Sequence, residues 1–147
     1  MIPFAVLVAG FCLFFLVGRL AGNNYLADYH HALRPALAIM FLLTASARCG
    51  ARRADLVRMM PPVFKWPEMW ITATGLLEVV GAIGLLVPAT ARFAAWGLAL
   101  LLAAMFQANV HAARLRLTIG GRAVPKLGIR TLLQAIFLCC ALLASRH

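Results

Sequence analysis

The chain has 147 residues, of which 64% are hydrophobic and only 12% charged, against about 25% charged in an average soluble domain. Its formal net charge is +10, yet the charges fall in short stretches between uncharged runs of about 13–18 or more residues, a length suited to crossing hydrocarbon as helix. A soluble globular fold is excluded, and no nucleic-acid partner is expected, because the same basic excess orients a membrane protein and meets anionic headgroups.

Backbone polar groups in lipid must be satisfied within the segment, and the apolar runs show no alternating pattern, so helices are expected rather than a barrel. The predicted fold class is all-α, a polytopic membrane helical bundle. Five spans are predicted, the first at Ile2–Gly18. It carries no basic stretch before its apolar run and no small-residue cleavage site, and is read as a retained helix rather than a signal peptide. His30 and His31 follow in a loop with no partner pattern. The second span, Leu33–Ala47, is short between Arg34 and Arg48, so both arginines are expected to snorkel to the interfaces. Arg52–Met60 then mixes Leu56, Val57, Met59 and Met60 with Arg52, Arg53, Asp55 and Arg58 before Pro61 and Pro62. That pattern fits a short surface-lying amphipathic helix or a solvated basic loop.

The third span, Met69–Val87, holds Glu78 about ten residues in, which at about 1.5 Å per residue is close to the bilayer midplane. A lone ionised carboxylate there costs at least several kcal/mol, so it must face the bundle interior, find a donor or take up a proton. Two roles remain open, a proton-relay or ligand-anchoring group and a structural tie between helices. Helical spacing sets Thr74, Gly75, Glu78, Gly81 and Ala82 on one face, a packing seam of small residues. The stretch Pro88–Arg92 allows only a tight turn, so the third span and the fourth, Phe93–Val110, form an antiparallel hairpin.

The fifth span is Leu127–Leu143. Polar side chains occupy one end of several spans, namely Thr44 and Ser46, Gln107 and Asn109, and Gln134. With Thr74 and Glu78 they would line a polar cavity, or each would bond its own backbone or a neighbouring helix. His111 and Arg48 are read as interfacial residues. The four cysteines, Cys12, Cys49, Cys139 and Cys140, include no CxxC pair and no histidine at metal-ligand spacing, so neither a metal site nor a disulfide framework is predicted. The three within apolar runs are read as buried packing residues. No nucleophile elbow, phosphate loop or dinucleotide fingerprint is present, and no catalytic residue is assigned.

Basic residues predict the orientation. With the N-terminus in the cytoplasm, the inner side carries Arg48, Arg52, Arg53, Arg58, Lys65, Arg114, Arg116, Arg122, Lys126 and Arg130, against Arg19, Arg34, Arg92 and Arg146 outside. The positive-inside rule favours that arrangement, in the cell (plasma) membrane with the C-terminus outside. Trp66 and Trp70 would sit at the inner interface, and Tyr25, Tyr29 and Trp96 at the outer one.

The runs Arg34-Pro-Ala-Leu-Ala-Ile-Met-Phe-Leu-Leu-Thr, Met59-Met-Pro-Pro, Thr74-Gly-Leu-Leu-Glu-Val-Val-Gly-Ala-Ile-Gly-Leu-Leu-Val-Pro-Ala-Thr-Ala-Arg and Ala108-Asn-Val-His resemble the DoxX-like family of small bacterial membrane proteins. The resemblance covers roughly three-quarters of the chain and is most specific in the stretch around Glu78. It implies a four-helix core over residues 33–145, an extra transmembrane helix over residues 1–20, and the family glutamate at Glu78. Members similar to this chain carry a His-Phe pair where it has Arg48-Cys49, and a proline at Gln107, so the role of that histidine is not carried over. Arg48 is expected to lie too near the interface to pair directly with Glu78. Related proteins look like membrane partners of oxidoreductases. The leading expectation is therefore an accessory or scaffold subunit for a protein partner, with a homo-oligomer also open. The rival is a small membrane enzyme or carrier that holds a lipophilic molecule such as a quinone near Glu78. No other cofactor is predicted.

Overall fold

In a computed structural model, described over residues 2–50, 52–115, 118–119, 122–123 and 126–146, the chain is all-helical apart from one two-residue antiparallel pairing of Thr118–Ile119 with Arg122–Ala123. Its helices are α1 (Ile2–Leu20), α2 (Tyr29–Cys49), α3 (Arg53–Arg58), α4 (Pro67–Leu86), α5 (Ala91–Arg114) and α6 (Leu127–Ala144). All but α3 are long and apolar enough to cross a membrane. Each predicted span is present within a few residues, and the basic stretch after the second span forms the short helix α3.

Local signals place the helix ends. The Asp28 side chain accepts from the backbone N–H of His30 at 3.0 Å, an N-cap that starts α2 four residues before the predicted span. Pro67 begins α4 in the first turn, where its missing N–H costs nothing. At the far end the Thr90 hydroxyl donates to the Gly84 carbonyl at 2.9 Å and closes the turn into α5.

Helices α2, α4, α5 and α6 pack in a closed ring, and α1 lies outside it against α2. Flanked by α1, α4 and α6, α2 is the most buried of the spans: 56% of its apolar span is buried, against 11% for α1 and α6. The core joins Leu33, Leu37, Met40 and Phe41 of α2 to Ala82 and Leu85 of α4, Ala95, Leu98 and Leu102 of α5, and Leu7 of α1. On α4 the buried residues are Ile71, Gly75, Glu78, Ala82 and Leu85, while Leu76, Leu77, Val80, Ile83 and Leu86 point outward. The buried face mixes Gly75 and Ala82 with larger side chains, while the outward face is uniformly large and apolar, as suits a helix whose outer surroundings are lipid. The same physics corrects the expectation for the cysteines. Cys12 and Cys139 are exposed on the outer surface of the bundle, whereas Cys140 is half-buried against the core, and all four thiols are free.

The expected single small-residue face of α4 divides between two neighbours. A Cβ at Gly75 would stand 2.8 Å from Cδ of Arg48 on α2, whereas one at Gly81 would stand 2.5 Å from Cδ2 and 2.6 Å from Cγ of Leu98 on α5. Leu98 is itself fully buried and has nowhere to swing. Gly81→Ala is therefore expected to cost about 1–3 kcal/mol through overpacking. Gly97→Ala, where a Cβ meets nothing within 4 Å, should stay within about 0.5 kcal/mol of the parent. Thermal unfolding of the two variants in the same mild detergent compares them, and equal midpoints would contradict the close α4–α5 approach.

Candidate functional site

Glu78 is 1% exposed, and Arg48 of α2 lies against it, 6% exposed. Arg48 Nη2 donates to Glu78 Oε1 at 2.7 Å, and Arg48 Nε donates to Oε2 at 3.0 Å. This is a bidentate pairing of guanidinium fork and carboxylate, the strongest form of charge-assisted hydrogen bond. The Thr44 hydroxyl, one helical turn before Arg48, is 3.2 Å from the same Oε2 and 2.9 Å from the carbonyl of Phe41, so its single proton is shared between them. Arg48 Nη2 also reaches Met105 Sδ on α5 at 3.4 Å. The cluster ties α2, α4 and α5 at one level.

The pairing corrects the expectation that Arg48 is an interfacial residue too shallow to meet Glu78. In a helix every side chain leans toward its own N-terminus. Helices α2 and α4 are antiparallel, so Arg48, at the C-terminal end of α2, leans into the bundle while Glu78 leans back toward the end where α4 begins. The two lean toward each other, and Gly75, one turn from Glu78, leaves the space in which the arginine stem lies. Arg53 of α3 braces the pair from outside: its Nη1 donates to the Arg48 carbonyl at 3.3 Å, and its Nη2 to the Thr72 hydroxyl at 2.9 Å and the Glu68 carbonyl at 3.4 Å.

The remaining predicted polar residues do not join Glu78. Thr74 donates to the carbonyls of Trp70 and Ile71 in its own helix, and Ser46 donates to Leu43 O. Gln107 is exposed, about 200° around α5 from Asn109, because two residues advance a helix by that angle. His111 is half-buried in the last turn of α5. Asn109 and Gln134 instead form a second cluster between α5 and α6. Asn109 Nδ2 donates to Gln134 Oε1 at 3.4 Å, Gln134 Nε2 donates to the Leu102 carbonyl, and Arg130 Nη2 donates to Asn109 Oδ1 at 2.6 Å. Arg130 Nη1 is buried without a hydrogen-bond partner among the described residues. Of the two alternatives, separate bonding is what these contacts show: Thr74 and Ser46 bond their own helices, and Asn109 and Gln134 form a knot apart from that of Glu78.

Arg34 also departs from the expectation that it snorkels. It is 4% exposed, with Nε donating to Ala144 O at 3.1 Å and Nη2 to Arg146 O at 3.2 Å. His30 Nδ1 donates to Leu143 O at 2.9 Å. His31 Nδ1 accepts from Arg34 Nη1 at 3.2 Å. The first turns of α2 therefore cap the C-terminal carbonyls of α6, where orphan acceptors and the negative end of the dipole favour a cation. Sequence reasoning missed this latch, since the two segments are more than a hundred residues apart. The only local clue was an arginine and two histidines beside a helix start.

No group of three or more potential metal ligands is present among the described residues. A family model described as Domain of unknown function (DUF8561) matches residues 36–145. No curated protein and no solved structure matches the chain.

Proposed function

The chain belongs to the DUF8561 family, and from that premise we propose that it is an accessory membrane protein, a helical scaffold serving a protein partner rather than a catalyst. One observation carries this reading: both oxygens of Glu78, the buried acid midway along α4, are engaged by Arg48 and Thr44. A general acid or base needs a free edge and a pKa near the working pH. Here the guanidinium fork and the Thr44 hydroxyl occupy both carboxylate oxygens of a side chain that is 1% exposed, which leaves no such edge. Glu78 acts instead as the anion of an internal clamp. The match from residue 36 to 145 takes in most of the four-helix ring and leaves out α1, which supports α1 as an appended helix. The resemblance to DoxX-like proteins points the same way, with an oxidoreductase complex in the cell membrane as the partner class.

The orientation with a cytoplasmic N-terminus gains support from burial. Setting aside Arg48, Arg130 and Arg34, which are buried or half-buried within the bundle, eight basic residues remain on the proposed inner side and three on the other. The docking face proposed for the partner is that inner side, around α3 and the stretch between α5 and α6.

Affinity purification of the full chain in mild detergent after brief in-cell crosslinking tests the proposal. A reproducible membrane partner at fixed stoichiometry is the expected result. Recovery of the chain alone, or only with itself, would overturn it.

A further inference from the structure

At the end of the bundle where α5 begins and α6 ends, a cleft of about 400 Å³ is lined by Arg92, Trp96, Leu142, Ser145 and Arg146. Two guanidinium groups, one from the first turn of α5 and one just past the end of α6, share it with an indole and an aliphatic side chain. None of the four acidic residues of the chain lines it. Asp28 caps α2, Asp55 is 3.8 Å from Arg58, Glu78 is paired with Arg48, and Glu68 begins α4 at the opposite end. The Ser145 hydroxyl proton is spent on Leu142 O at 2.7 Å, so the charged donors lining the cleft are the two arginines.

The frame holding these groups is built by the rest of the fold. Arg34 and His30 pin the last turn of α6 through its carbonyls, including that of Arg146 itself. Ala91, next to Arg92, is fully buried and hydrogen-bonded into the α4–α5 turn. Both arginines thus project from fixed helix ends. This is the end with fewer basic residues, yet two of its three exposed arginines converge here.

We propose that the cleft binds the phosphate of an anionic phospholipid, with the arginines on the phosphate and the acyl chains running down the outward-facing surface beside Trp96. Paired guanidinium groups match phosphate oxygens bidentately. An interfacial tryptophan beside basic side chains at a helix–helix junction suits a headgroup more than a free ion. The exposed Trp96, Phe93 and Leu100 of α5 supply the apolar track for the chains.

The test uses Trp96 as its own reporter. In a Trp66→Phe/Trp70→Phe background Trp96 is the only tryptophan left of three. The full chain is reconstituted in phosphatidylcholine vesicles containing a minor share of phosphatidylglycerol, with bromine on the acyl chains of one lipid or the other. Brominated phosphatidylglycerol is expected to quench Trp96 with about a tenfold higher apparent affinity than brominated phosphatidylcholine. Arg92→Gln/Arg146→Gln should bring that ratio close to one. Arg92→Gln alone, at an exposed position in the first turn of α5, should give an intermediate ratio and keeps the test open if the double variant misfolds. Equal quenching by the two lipids would overturn the proposal, as would a preference that survives in the double variant. Loss of the preference on adding inorganic phosphate would reassign the cleft to a free anion and overturn the lipid assignment.

Discussion

Arg48→Met is expected to destabilise the protein by about 3–5 kcal/mol, because it leaves the Glu78 carboxylate buried among helices with its counter-ion gone. Glu78→Leu alone should cost a similar amount by stranding the Arg48 guanidinium, which is equally inaccessible. Combining the two should restore most of the loss, since an apolar pair of similar volume escapes the desolvation that makes a buried ion pair costly. The coupling between the single changes is thus expected to be large and favourable to the double variant. Unfolding midpoints of the four proteins in one detergent give the cycle. Additive single effects would mean that the 2.7 Å contact contributes no coupling. The double variant also separates the proposed scaffold from the rival, a catalyst or a carrier of a lipophilic molecule such as a quinone. A folded double variant that still captures the partner leaves Glu78 as a clamp. A folded double variant that has lost function would assign the carboxylate to chemistry or ligand anchoring.

Arg34→Met should cost about 2–4 kcal/mol, because hydrogen bonds from a charged donor contribute about 1.5–3 kcal/mol each and the Ala144 and Arg146 carbonyls would lose their donor. Lysine is no substitute, as a single ammonium cannot span two carbonyls that Nε and Nη2 reach separately. The loss should be local before it is global. Amide exchange in the last turn of α6 is expected to accelerate strongly in Arg34→Met and Arg34→Lys, while the exchange of α4 around Glu78 stays near that of the parent. Unchanged protection at Ala144 and Ser145 would show that the latch does not hold the end of α6.

Much of the architecture could be read before any coordinates. Apolar length located five spans, the Pro88–Arg92 stretch marked the α4–α5 hairpin, and basic and apolar residues around Leu56 suggested the short helix α3. Glu78 was recognisable because an acid within an apolar span is rare and costly. Its partner was not. Arg48 looks interfacial when depth is measured along the chain, because residue counting places Cα atoms and ignores which way a long side chain leans. Gln107 was grouped with Asn109 by depth, although two positions along a helix lie on nearly opposite faces. Cys12 and Cys139 lie in apolar runs yet face outward, because apolar character does not demand burial where the surroundings are themselves apolar.

Sequence alone determined what composition and one-dimensional spacing control: a membrane location, helical spans, their lengths, and the presence of an acid that must be compensated. Tertiary structure decided everything that depends on which helix stands beside which. It showed that the compensating charge is Arg48, that Arg34 caps the end of a helix more than a hundred residues away, and which of the polar residues bond one another. The reason is physical. Lipid accepts any apolar face, so hydrophobic pattern says little about helix neighbours, and partner choice rests on a few polar contacts and close approaches between distant segments.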